Sequence, residues 1–111
     1  MKIVNRIRKN NDFSLAIKKG HSNSNNSFVI YVLKNELNYS RIGISVSKKV
    51  GNAVVRNHIK RQIRAICDSL IDYNQSSYDV VIIARKSYVN CDFQKNKELL
   101  GDLLTFIGGT N

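Results

Sequence analysis

Hydrophobic positions along this chain switch between a helical and a strand period, and the switches mark the elements. Phe13, Ala16 and Ile17 recur at i, i+3 and i+4 and predict a short helix with one apolar face. Asn11 or Asp12 is expected to cap it, and Gly20 to stop it after Lys19. His21 to Ser27 is polar and reads as a loop or a short edge strand, while Phe28 to Leu33 is β-branched and aromatic and predicts a strand. Asn35 to Ser40 is the turn out of it. Arg41 to Ser47 alternates, with Ile42, Ile44 and Val46 on one side and Gly43, Ser45 and Ser47 on the other, as a half-buried strand requires. After Lys48 to Gly51, Asn52 can cap a helix reaching roughly Tyr73. Asn74 to Ser77 is polar again, and Tyr78 to Arg85 holds a continuous apolar run that predicts a strand covered on both faces. Leu99, Leu100, Leu103, Leu104 and Ile107 place a last amphipathic helix over 93–107, ended by Gly108 and Gly109.

The order α, β, β, α, β, α, with a further short strand near His21, predicts an α+β sandwich: helices packed on one small central sheet in a single domain over 1–111. Met1 to about residue 10 forms a basic arm with Ile3, Val4 and Ile7 as its apolar content. A chain of 111 residues buries one modest core, which excludes a large catalytic cleft between lobes. No apolar run approaches the ~20 residues needed to cross a bilayer, and the N-terminus lacks the apolar stretch of a secretory signal. Two cysteines, Cys67 and Cys91, cannot make a disulfide framework and are expected as reduced thiols in a cytoplasmic protein.

Charge changes the picture more than composition does. Eighteen Lys and Arg against eight Asp and Glu give a formal net charge of +10, which calls for an anionic partner, either polyphosphate or an acidic membrane surface. The surplus is concentrated. Between Glu36 and Asp68 there is no acidic residue, yet Arg41, Lys48, Lys49, Arg56, Lys60, Arg61 and Arg64 all lie there. On a helical wheel of about 100° per residue, Val55, Ile59, Ile63, Ile66 and Leu70 fall within roughly 80°, and Arg56, Asn57, Lys60, Arg61 and Arg64 within the next ~140°. Solvated helix faces mix both signs, whereas Arg56, Lys60 and Arg64 set like charges at i, i+4, an arrangement that phosphates between them would relieve.

The run from Ser45 to Arg64, with Gly51-Asn52-Ala53-Val54-Val55-Arg56-Asn57 followed by Lys60-Arg61 and Arg64, closely resembles the arginine-rich signature of the protein subunit of bacterial ribonuclease P. The likeness extends through Lys9 to Phe13, Lys19-Gly20, Phe28 to Tyr31, Arg41 to Gly43 and Asp79 to Arg85. It implies an αβββαβα fold like the second domain of ribosomal protein S5, with a left-handed βαβ crossover that general handedness rules would not predict. It also implies a subunit that assists removal of the 5′ leader of precursor tRNA while a catalytic RNA performs the hydrolysis, with Mg²⁺ held mainly by that RNA and the substrate. Carried residue by residue, Lys48, Lys49, Asn52, Arg56, Asn57, Lys60, Arg61 and Arg64 are expected to meet RNA. Phe13, Ile17 and Tyr31 match the family's leader cleft, where aromatic faces suit unpaired bases. Ile17 stands where the family commonly has a second Phe, and His58 replaces a usual Arg.

No residue is expected to be catalytic and none to form a dedicated metal site. Asp68 and Asp72, spaced i, i+4 at the tail of the cationic helix, are the nearest approach to a carboxylate pair for metal-assisted hydrolysis and read as ending the charge run in solvent. His21, His58, Cys67 and Cys91 lack zinc-ligand spacing. A ribosomal or other structural RNA-binding protein fits the charge equally well and differs only in the signature. A helix lying on anionic lipid is disfavoured, because the apolar arc is needed for the core. The expected partners are therefore the catalytic RNA and precursor tRNA, with no membrane and no protein partner evident.

Overall fold

The structure, a computed structural model, describes residues 1–105. Its elements are α1 (Asn10–Lys19), β1 (His21–Ser24), β2 (Phe28–Lys34), β3 (Arg41–Val46), α2 (Ala53–Leu70), β4 (Tyr78–Ala84) and α3 (Phe93–Leu103), with short 3-10 turns at Ile3–Asn5 and Lys86–Asn90. The four strands form one sheet in the order β1-β2-β4-β3, antiparallel except for the parallel β3–β4 pair that α2 connects. This is the α+β sandwich expected from the periodicity, in the αβββαβα order that the resemblance implies.

Strand pairing sorts the sheet into two faces. Phe28, Ile30, Ile42, Val46, Val80, Ile82 and Ala84 share one face and form the core with Ile59, Ile63, Ile66 and Cys67 of α2 and Leu100, Leu103 and Leu104 flanking the end of α3. The core is pinned at one end by the Phe28–Tyr88 edge-to-face pair, centroids 5.6 Å apart. It is pinned also by buried Asn96, which accepts from Ser27 Oγ at 2.7 Å and donates to the Tyr88 carbonyl at 3.0 Å. The opposite face carries the cross-strand row Tyr31–Val81–Gly43, and α1 packs there on β2 and β4.

Several boundaries differ from the sequence expectation, each for a local reason. The first helix begins at Asn10 with Lys9 as an N-cap that lends no side chain, so neither Asn11 nor Asp12 caps it. Asp12 is instead turned to Arg41, 3.3 Å away. Gly20 ends α1 with φ −76, so its need is for space and not for a left-handed backbone: a Cβ there would sit 2.4 Å from the Ala16 carbonyl oxygen and 2.9 Å from that of Val32. β3 is not half-buried, since Gly43 is covered by Phe13 from α1. α2 stops at Leu70 and not near Tyr73, because Ile71 turns extended into the core and the Tyr73 carbonyl accepts from Ser40 N–H at 2.8 Å. α3 ends at Leu103, and Ile107, Gly108 and Gly109 of its expected tail lie outside the described residues.

Candidate nucleic-acid interface

α2 is built for two surfaces. Asn52 caps it by accepting from Val55 N–H at 3.0 Å, and Ile59, Ile63, Ile66 and Cys67 seal it to the sheet. Val55, placed by the wheel on the apolar arc, is 38% exposed. It packs back on Gly51, where a Cβ would meet its Cγ1 at 2.9 Å, because the first turn runs past the core. Along the flank, Arg56, Lys60 and Arg64 are half-buried and Asn57 and Arg61 exposed, with Lys48 and Lys49 exposed in the turn before the cap. Among the described residues the ion pairs are Met1 ammonium–Asp68, Arg41–Asp12 and Arg41–Asp79, so no carboxylate neutralises any cation of α2. The Nε of Arg56 is buried without a hydrogen-bond partner. A stripe of fixed, unpaired cations along a rigid rod is a surface for phosphate oxygens.

The face under α1 offers different chemistry. Asp12 and Phe13 stand over β3, at Arg41 and Gly43, while Gly20 touches β2 at Val32, so α1 crosses the sheet. Phe13 and Tyr31 are half-buried and Ile17 is 37% exposed, all on this side. Because Tyr31, Val81 and Gly43 are successive partners on three strands, Phe13 and Tyr31 flank a span of roughly 10 Å, at about 4.8 Å per strand. The next row, Val29, Ile83 and Ser45, is half-exposed beside it. These three floor positions were invisible in the sequence, since only the register of β4 between β2 and β3 brings them together.

α1 is held in place by charge. Arg41 Nε and Nη2 donate to the two oxygens of Asp79 at 2.9 and 2.5 Å, and Nη1 reaches Asp12 at 3.3 Å. The hydrogen bond to Asp79 raises the Arg41 pKa above its ordinary value, with partial burial opposing it.

The titratable groups at the end of α2 have structural partners. Asp68 accepts from Tyr73 Oη at 2.7 Å and pairs with the Met1 ammonium at 2.6 Å. Asp72 lies beyond the helix, its Oδ1 accepting from Asn74 N–H, so the expected i, i+4 pair does not form on one helix. Burial, then the bond to Asp68, pushes the Tyr73 phenol upward. Cys67 is buried, and burial followed by the Asp68 charge pushes its thiol up to about 12, which makes it a packing group. His21 and His58 are exposed. Among the described residues no three His, Cys, Asp or Glu gather in one place. Among them, too, no helix is long and apolar enough to cross a membrane.

Comparison with known proteins bears on the same surfaces. A sequence model of the family described as Ribonuclease P matches residues 1–108. The chain is 50% identical over 101 residues to the ribonuclease P protein component of Bacillus cereus (strain 03BB102), covering 90% of this chain and 88% of that one. It is 48% identical over 101 residues to the component from Listeria welshimeri, covering 90% and 85%. Its fold superimposes on the RNase P protein of Staphylococcus aureus with a TM-score of 0.82 at 40% identity, over 96% of this chain and 98% of that one. Against the RNase P protein of Thermotoga maritima the TM-score is 0.79 at 38% identity, over 94% and 98%. A cationic helix, a small mixed sheet and a sequence match over nearly the full length converge, and the chain belongs to the ribonuclease P protein family.

Proposed function

We propose that this chain is the RNA-binding protein subunit of a bacterial ribonuclease P, acting in the cytoplasm on the 5′ leader of precursor tRNA. The observation that carries the reading is the cationic flank of α2, which holds no acid from Arg56 to Arg64 and whose one carboxylate, Asp68 in the last turn, is taken up by the Met1 ammonium and Tyr73. Arg56, Asn57, Lys60, Arg61 and Arg64, continued by Lys48 and Lys49, lie along the backbone of the structured RNA subunit. Arginine forks meet its phosphates, and condensed counterions are released. Phe13, Ile17 and Tyr31 face the single-stranded leader, whose bases offer π-faces for stacking. Hydrolysis belongs to the RNA subunit, with Mg²⁺ held by RNA and substrate. This chain's residues bind and orient the strand and bring positive charge to phosphate-rich surfaces.

Reconstitution with a bacterial catalytic RNA and a precursor tRNA at low Mg²⁺ tests the reading. Correct 5′ processing is expected to rise on adding the protein, and the protein alone is expected to leave the precursor uncut. Arg56→Ala and Arg64→Ala should each weaken RNA-subunit binding and flatten the logarithmic salt dependence by about one counterion. An unchanged slope would place these side chains in water. Recovery of ribosomal RNA in place of one structured RNA plus precursor tRNA would point to a purely structural RNA-binding role.

A further inference from the structure

Away from α2, the N-terminal segment and the start of α1 enclose a groove of about 620 Å³ that none of the surfaces above includes. Its walls are fixed in place. Buried Asn5 donates from Nδ2 to the Ser40 carbonyl at 3.0 Å, Ile7 N–H donates to the Ile42 carbonyl at 3.0 Å, and Arg6 bridges Ile42 along the open edge of β3. Tyr39, on the opposite wall, is tied from behind by Asn35, whose Nδ2 donates to the Tyr39 carbonyl at 3.2 Å and to Asp79 Oδ1 at 2.8 Å. Arg41 and Asp12 also border the groove, but they are engaged with each other and with Asp79 and serve as wall. A basic tail that merely solubilised the domain would need no buried asparagine to hold it.

The open side of the groove is neither purely cationic nor purely apolar. Arg6, Arg8 and Lys9 are exposed and form no ion pair among the described residues. Beside them Ile3 is 60% exposed, Val4 is 51% exposed and the Tyr39 ring is half-exposed. A duplex would use the cations and leave the apolar atoms wet, because its bases are stacked inside. An unpaired strand uses both, setting phosphates on the cations and base faces on the ring and aliphatic groups. The first turn of α1 has no side-chain cap, which leaves its N–H end open to an anion on the same side.

We propose that this groove binds a short unpaired RNA strand, with Arg6, Arg8 and Lys9 on its phosphates and Tyr39 stacked on a base, independently of the α2 ridge. The proposal rests on the reading that the chain works on RNA. The strand has two possible sources of the same chemistry, the precursor leader and an unpaired junction of the RNA subunit.

Fluorescence anisotropy of the full chain with a short fluorescein-labelled oligouridylate tests the site. Arg6→Ala/Arg8→Ala should lower the logarithmic salt slope by roughly 1.4, at about 0.7 per phosphate of a single strand. Tyr39→Ala should weaken binding by about fivefold to a hundredfold at an unchanged slope. The charge-matched pair Lys95→Ala/Lys97→Ala on α3 should leave the slope near that of the parent. An equal fall with that pair, or parental binding by the arm variants, overturns the site. So does an equal effect of Tyr39→Ala on a blunt duplex. Arg6, Arg8 and Lys95 are exposed and Tyr39 and Lys97 half-exposed, and thermal midpoints matching the parent show that folding does not confuse the result. Titrations of the RNA subunit alone, and of leader-bearing against leaderless precursor on the holoenzyme, then identify the source by which affinity the arm variant loses. Loss in neither overturns the proposal. Stimulation of the catalytic RNA by the parent chain reports separately on the reading beneath it.

Discussion

Replacing Gly43 by alanine should couple the sheet to the first helix in a way that can be measured. A Cβ at Gly43 would stand 2.8 Å from Phe13 Cε2 and 2.9 Å from Cδ2. Carbon contacts are comfortable at about 3.5–4.0 Å, so the ring or α1 must retreat by roughly 1 Å. Overpacking of this size costs about 1–3 kcal/mol. Phe13→Ala alone loses a half-buried ring, about 2 kcal/mol on the scale where a fully buried one costs about 3–5 kcal/mol. In the double variant the new methyl enters the space the ring has left, so the clash vanishes. The double should then be no less stable than Phe13→Ala, a favourable coupling of about 1–3 kcal/mol. Urea unfolding followed by circular dichroism reads this directly, and in thermal unfolding the Gly43→Ala midpoint should drop by about 4 °C per kcal/mol. Gly43→Ala should also weaken leader-bearing precursor more than mature tRNA, because it moves Phe13. Additive losses in the two single variants would show that Phe13 does not rest on Gly43, and the account of the cleft would fall with that contact.

Three further outcomes follow from the contacts. Asp79→Asn removes the charge that meets Arg41 and Asn35 behind the sheet. It should cost about 3 kcal/mol, the low end for a buried pair because Arg41 is still 19% exposed, read as a lower urea midpoint. Asn52→Ala should cost about 1 kcal/mol through the lost helix cap, yet leave the salt slope for RNA unchanged, which separates its capping role from phosphate contact. Alkaline stability should fall between about pH 9 and 12. The buried Cys67 thiol is raised from 9.0 to about 12 and the Tyr88 phenol from 10.0 to about 12, so the unfolded chain loses these protons first and is favoured as pH rises. Cys67→Ala should delay the onset, and an unchanged melting profile from pH 9 to 10 would contradict the assignment.

The cationic ridge was legible in the sequence because both of its determinants are local. Helical spacing places Arg56, Lys60 and Arg64 in line, and the absence of acids between Glu36 and Asp68 leaves them unpaired. What could not be read is whatever depends on register. Gly43 looked like the outward side of a half-buried strand, and only the placement of α1 turns it into the bed of Phe13. Asp12, Arg41 and Asp79 are 29 and 38 residues apart in sequence, and nothing local announces that one guanidinium would join them. Gly20 was recognisable as a stop, but its cause, two carbonyl oxygens within 3 Å of an absent Cβ, is tertiary. The end of α2 shifted for a similar reason, since Ile71 gains more from the core than from another helical turn.

The energetics of α2 explain why such a ridge can exist and why folding does not require it. The helix has no acid in its first turn and no base in its last, so its charges run against its dipole as well as against one another. Each like-charge pair at i, i+4 costs a few tenths of a kcal/mol. Burial of Ile59, Ile63 and Ile66 contributes about 1.5–3 kcal/mol apiece as an upper bound. The seam outweighs the repulsion several-fold, and the cations can stand bare in the free protein. The same margin means that a carboxylate at an exposed position of that flank, such as Asn57 or Arg61, would only have added stability. Stability alone therefore favours mixed charge there, and a flank without an acid from Arg56 to Arg64 is better accounted for by something outside the chain. A polyanion that lies along the helix from Arg56 to Arg64 fits that requirement, since an acidic side chain among those cations would repel it.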